Sequence, residues 1–152
     1  MIAAMVAAAA VAAAAPLPQG QLHYSQSCGG CHGLLGQSAK SEIPELRDRV
    51  GYFLCSRGGR DYLVRLPNVA FAAMDDATLA AALNFMLFGL GGDSVPADKA
   101  LARPFTAPEV HRLRLLPLKA RDLAALRAAA FATADPSCFA RLTARPMTST
   151  ER

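Results

Sequence analysis

Five consecutive residues, Cys28-Gly29-Gly30-Cys31-His32, constrain this chain more than any other feature. They place two thiols and an imidazole within a turn or so of backbone. A C-x-x-C pair by itself serves a redox dithiol, half of a tetrahedral zinc site or a covalent cofactor. The dithiol reading wants a strand before and a helix after, in a β-α-β pattern, and none flanks the motif. Zinc wants a second ligand pair, whereas the remaining cysteines, Cys55 and Cys138, stand far apart in the sequence. The histidine directly after the second cysteine completes C-x-x-C-H, the attachment signature of c-type haem. In that chemistry both sulfurs add to porphyrin vinyl groups along one edge of the ring, and the adjoining His32 reaches the iron as proximal ligand. Gly29 and Gly30 suit a backbone crowded by the macrocycle. One motif implies one haem c, held covalently by Cys28 and Cys31, and a fold built around a rigid plate.

The rest of the composition fits a chain that needs such a plate. Its 152 residues allow one compact domain and an extension. They are 53% apolar, but much of that is alanine and there is no Trp, so the side-chain core is modest. A large flat cofactor supplies buried surface that small side chains do not. Residues 1–15, MIAAMVAAAAVAAAA, are an uncharged apolar run too short to span a bilayer. Ala13 and Ala15 satisfy an A-x-A cleavage pattern and the chain turns polar at Pro16, which reads as a signal peptide and export to a bacterial-type periplasm. No later stretch resembles a membrane span.

Several separate elements resemble class I c-type cytochromes, small monohaem proteins, over about residues 20 to 92. Gly20-Gln21-Leu22-His23-Tyr24, followed by Cys28, is similar to the N-terminal helix of that family. Gly33 follows His32 as is common there. Pro44-Glu45-Leu46 is similar to a Pro-x-Leu segment whose proline carbonyl accepts a hydrogen bond from the proximal histidine, a contact that fixes tautomer and ring orientation. The run from Asp75 to Leu87 starts with acidic residues and places Leu79, Leu83, Met86, Leu87 and Leu90 at helical spacing, ending at Gly91-Gly92. It carries no charge between Asp76 and Asp93, so it should be buried on more than one side. The resemblance implies an all-α fold, a cytochrome c-like haem domain at 16–95, and single-electron transfer.

The sequence departs from that family at the sixth iron ligand. Where the family has a methionine, often Met-Pro, this chain has Leu66-Pro67, and leucine cannot coordinate iron. Met74, just before the closing helix, is the candidate distal ligand, with a core position as the alternative. Met86 reads as packing, Met147 lies in a Thr/Ser-rich terminus, His111 reads as a surface residue and Asn68 as a turn residue. If none ligates, the iron is five-coordinate and open to small molecules such as CO, NO or peroxide.

Arg57-Gly58-Gly59-Arg60 reads as a turn, with a propionate anchor as the other reading. Asp61-Tyr62-Leu63 could line the haem edge, with Tyr62 as a hydrogen-bond donor. Cys55 and Cys138 could form a disulfide in an oxidising compartment or remain separate buried thiols. Beyond Pro96 a basic helical extension is expected over 96–145, followed by a disordered tail at 146–152. Its first helix opens on the capping box Thr106-Ala107-Pro108-Glu109 and ends at Pro117; a second runs over about 119–134. From Lys99 onward ten Lys/Arg face four Asp/Glu, a net of +6, against −2 for 16–98. The basic character is thus confined to the extension, and suits steering toward acidic redox partner proteins; nothing points to nucleic acid. The expectation is a monohaem electron carrier between a dehydrogenase and a downstream acceptor, not an enzyme. An open-site haem protein and a docking haem subunit of a larger redox complex are the alternatives.

Overall fold

The computed structural model describes residues 18–40, 42–119, 121, 123–132 and 138. The expected signal peptide and the terminal tail, with Met147, lie outside them. Among the described residues the chain is helical with no strand: α1 Gln19–Ser27, α2 Gly29–His32, α3 Arg57–Arg65, α4 Pro67–Ala70, α5 Asp76–Asn84, α6 Ala107–Arg114 and α7 Leu123–Ala132. A 3-10 turn covers Val50–Cys55 and a single π turn, Phe85–Gly89, prolongs α5.

Helix α1 crosses α5, the most extensive helix pairing in the molecule. Gly20 makes the crossing possible, since a Cβ there would lie 2.4 Å from the Ala81 carbonyl oxygen. Tyr24, 1% exposed, then sets its ring 5.4 Å from that of Phe85. Helix α5 starts on Asp75, whose carboxylate accepts the Thr78 N–H at 2.7 Å. Its uncharged faces are taken by α1 on one side and α6 on another. At its end Asn84 pairs with the backbone of Phe105, donating to the carbonyl at 3.0 Å and accepting the N–H at 2.7 Å. That pairing satisfies a polar side chain in an otherwise apolar helix.

Arg57-Gly58-Gly59-Arg60 is not a turn but the first turn of α3. Ser56 caps it by accepting the Gly59 N–H at 2.9 Å, a local bond that outweighs the low helix propensity of two glycines. Ser56 also donates to the Ala130 carbonyl at 2.6 Å, so the same hydroxyl tethers α7. Cys55 is bonded to Cys138, with the Cα atoms 5.8 Å apart, which selects the disulfide over separate thiols.

The extension's first helix, α6, opens on Thr106, which accepts the Glu109 N–H, and buries Val110 and Leu113 completely. Burying each such side chain stabilises by roughly 1.5–3 kcal/mol. Arg60 is 5% exposed and reaches into this segment: Nε and Nη2 donate to the Glu109 carboxylate at 2.7 and 2.8 Å. The guanidinium also donates to the carbonyls of Arg103 and Pro104 and lies 3.9 Å over the Phe105 ring. The residues after Pro96 are therefore welded to α3 and α5 rather than hung from them.

Candidate functional site

Helix α1 runs almost directly into α2, and this short second helix carries the motif. Cys28, at the join, is half-buried; Cys31, one turn on, is exposed. The α2 helix ends at Gly33, whose φ of 74° is a left-handed conformation that glycine adopts without strain. The Gly33 carbonyl accepts the Tyr24 hydroxyl at 2.8 Å, so the stretch from Tyr24 to Gly33 closes a loop around the two thiols. Burial, with a smaller contribution from Cys28, pushes the Tyr24 phenol up to about 12, so it remains a donor.

His32 lies at the end of α2, and its Nδ1 stands 3.1 Å from the Pro44 carbonyl. A carbonyl only accepts, so Nδ1 carries the proton and Nε2 keeps the free lone pair. The Pro-x-Leu segment is held in turn by Leu46 and Arg47, whose N–H groups both donate to the Gly36 carbonyl. The imidazole is thus oriented by backbone that is itself fixed.

This donor set fits a c-type haem: two thiols three residues apart and an imidazole with one nitrogen committed and the other available. Leu34 and Leu35, 63% and 60% exposed, add an apolar edge suited to a flat hydrophobic group. Among the described residues no group of three or more His, Cys, Asp or Glu is arranged to hold a bare metal ion. Burial first, then the neighbouring Cys31, pushes the Cys28 thiol up, the reverse of what an active dithiol needs.

Leu66 is the N-cap residue of the short helix α4, with Pro67 in its first turn. The slot of the expected methionine is therefore occupied by a helix start. Asn68 is exposed on α4 rather than in a turn. Met74 follows in the bend between α4 and α5, half-buried and packed against the same core as Cys28, Leu66, Val69 and Met86. Met86 lies in the π turn. Tyr62 does not face this region; it stacks on Phe53 at 5.4 Å and directs its hydroxyl 3.4 Å from the Leu123 carbonyl of α7. Arg60 spends four N–H donors on Glu109 and two carbonyls, which leaves no two-donor fork for a propionate.

One residue that sequence reasoning passed over holds the bend containing Met74. Arg114, near the end of α6, donates from Nε to the Ala70 carbonyl at 2.9 Å and from Nη2 to Ala72 at 2.7 Å. Its Nη1 donates to the Met74 carbonyl at 2.8 Å and to the Asp76 carboxylate at 3.1 Å. His111 stays at the surface as expected but bonds the other Asp76 oxygen at 2.9 Å. The Arg114 hydrogen bond, with His111 assisting, holds the Asp76 carboxyl below its ordinary range. The available signal was positional: Arg114 stands four residues after Val110 and one after Leu113, on the flank of the inward stripe.

Comparison with known proteins agrees with this geometry. The chain is 31% identical over 123 residues to cytochrome c-552 of Thermus thermophilus, a match covering 68% of this chain and 90% of the relative. The same identity and span recur with a second cytochrome c-552 of Thermus thermophilus, of which 80% is covered. No family model and no solved structure matches the chain.

Proposed function

The chain belongs to the c-type cytochromes, and we propose that it is an exported monohaem carrier that relays single electrons between a periplasmic dehydrogenase and a downstream acceptor. The observation that carries this reading is the His32 Nδ1 bond to the Pro44 carbonyl next to one half-buried and one exposed thiol, since it leaves Nε2 as the one free imidazole nitrogen. Cys28 and Cys31 hold one haem c through thioethers, and His32 is the proximal iron ligand. When bound, the haem supplies a one-electron iron couple.

The chain's own residues do the rest. Pro44 keeps the imidazole oriented and raises its basicity as a ligand. Tyr24 ties the end of the motif to α1 through Gly33. Met74 is the sixth ligand, giving a site that reorganises little on reduction. Leu34 and Leu35 form an apolar rim at which a redox partner docks, and the exposed basic residues of the extension orient an acidic one. The uncharged segment 1–15 acts as the export signal, and no helix among the described residues is long and apolar enough to cross a membrane.

A second reading, an open distal side, is favoured by Leu66 at the usual ligand slot. One experiment separates the two. Absorption spectra of the reduced protein with and without CO are expected to coincide for the His/Met carrier. A CO adduct formed at once by wild type would select the open site. Colourless protein from a maturation-competent host, with both thiols alkylatable and no added mass, would remove the haem reading altogether.

A further inference from the structure

We infer that Arg114, on the helical extension, is a positioning residue for the distal side of the haem: it fixes the segment from Ala70 to Asp76 and so sets how firmly Met74 is held at the iron. The inference rests on the proposal that this segment is the distal loop.

The segment between α4 and α5 has only short-range turn bonds of its own, from the Ala72 N–H to the Val69 carbonyl and from the Met74 N–H to the Ala72 carbonyl. Ala70 is the last residue of α4, where carbonyls have no intrahelical partner, and Ala72 to Met74 form a bend. Arg114 supplies donors to three of its carbonyls, those of Ala70, Ala72 and Met74, and to the Asp76 carboxylate at the start of α5. A planar guanidinium with its donors in a fixed fork spans these alternate carbonyls in one geometry; a lysine ammonium cannot. Asp76 is gripped twice, since His111, one turn earlier on α6, takes its second oxygen.

The fork is rigid because α6 is. Val110 and Leu113 are fully buried, Glu109 is locked to Arg60 and Arg103, and Thr106 caps the first turn. Arg114 itself is only 17% exposed. Residues well after the closing helix thus hold the backbone that carries the candidate ligand. A thioether is a weak ligand, and its exchange for an exogenous one follows the population of loop conformations that withdraw it. Removing several charge-assisted bonds should raise that population by about tenfold or more.

The test uses the full-length holoprotein as Arg114→Ala, Arg114→Lys, Met74→Ala and, as a control for lost charge on the same helix, Arg112→Ala. Each is read by the long-wavelength thioether-to-iron(III) absorption band, by CO affinity and rate of the reduced form, and by reduction potential. Expected for both Arg114 variants is a weakened band, a lower potential and CO binding about tenfold tighter than wild type, with Arg112→Ala unchanged. Arg114→Lys serves where the alanine variant does not fold. Arg114 variants that match Arg112→Ala in band, potential and CO binding overturn the inference. A wild type that lacks the band and binds CO as fast as Met74→Ala removes Met74 as ligand instead. The statement about Met74 falls with it, and a CO entry rate changed about tenfold in the Arg114 variants would then show only that Arg114 shapes the distal segment.

Discussion

Replacing Glu109 with leucine should cost more stability than replacing Arg60 with methionine, although the two form one ion pair. Both side chains are nearly sealed, at 5% and 9% exposed, and joined by two bonds of 2.7 and 2.8 Å. Removing one partner from a buried pair typically costs about 3–5 kcal/mol, because the other charge stays behind. The remnants differ here. Without Arg60, Glu109 keeps two bonds from Arg103 at 3.1 Å, a partner 55% exposed, which places Arg60→Met near the lower end, about 3 kcal/mol. Without Glu109, Arg60 retains only the neutral carbonyls of Arg103 and Pro104 and the face of Phe105, so Glu109→Leu should approach about 5 kcal/mol. The double variant should cost less than the sum of the two by about 2–3 kcal/mol, the signature of coupled neighbours. Urea unfolding of the oxidised holoprotein, followed by far-UV circular dichroism and haem absorbance with m-values compared, measures all three. Single costs below about 1 kcal/mol, or strict additivity, would show that the extension does not share the core of the haem region.

Three further outcomes follow from the same contacts. Gly20→Ala should destabilise by about 1–3 kcal/mol in urea melts, because its Cβ meets the Ala81 carbonyl oxygen; a gain, the usual effect of Gly→Ala within a helix, would refute the close crossing of α1 and α5. Joint replacement of Cys55 and Cys138 by alanine should cost about 2–4 kcal/mol, since the bond closes a long loop with a sequence separation of 83; an unchanged midpoint would speak against the bond. Although burial opposes it, pairing with Arg60 and Arg103 holds the Glu109 carboxyl below its ordinary value. Its contribution is therefore complete above the unfolded pKa of about 4.3 and lost as pH falls through the native value. Wild type should lose stability more steeply than Glu109→Gln below about pH 4.5, and parallel curves would contradict that pairing.

The parts of this structure that were legible in the sequence are those where local chemistry leaves few options. The Pro44 contact to His32 followed from a resemblance of three residues. The acidic start of α5 and the Thr106 capping box were readable because caps act over three or four residues. The misreadings are long-range. Arg57-Gly58-Gly59-Arg60 reads as a turn, yet Arg60 is drawn inward to Glu109, 49 residues away. Nothing in a one-dimensional pattern separates an arginine bound for water from one bound for the interior. Arg60 and Arg114 share composition and helical setting with Arg57 and Arg112, and only packing tells them apart.

That distinction changes what the basic extension is for. Its excess of positive charge suggested a surface for partners, yet Arg103 and Arg114 are already engaged, the exposed Arg103 by Glu109 and the half-buried Arg114 by the bend around Met74. The exposed remainder, including Arg112, Lys119, Arg121 and Arg127, is what an approaching protein meets. Two jobs therefore share one helix. The face of α6 that carries Val110, Leu113 and Arg114 holds the backbone of the candidate distal loop, and the face that carries Arg112 is open to solvent. Changes in ionic strength should accordingly alter association rate through the outer arginines while leaving the reduction potential unchanged, because the inner fork is shielded from bulk salt. A potential that drifts with salt in step with the association rate would show that the two faces are not separate, and that the loop is held by surface charge rather than by the buried fork.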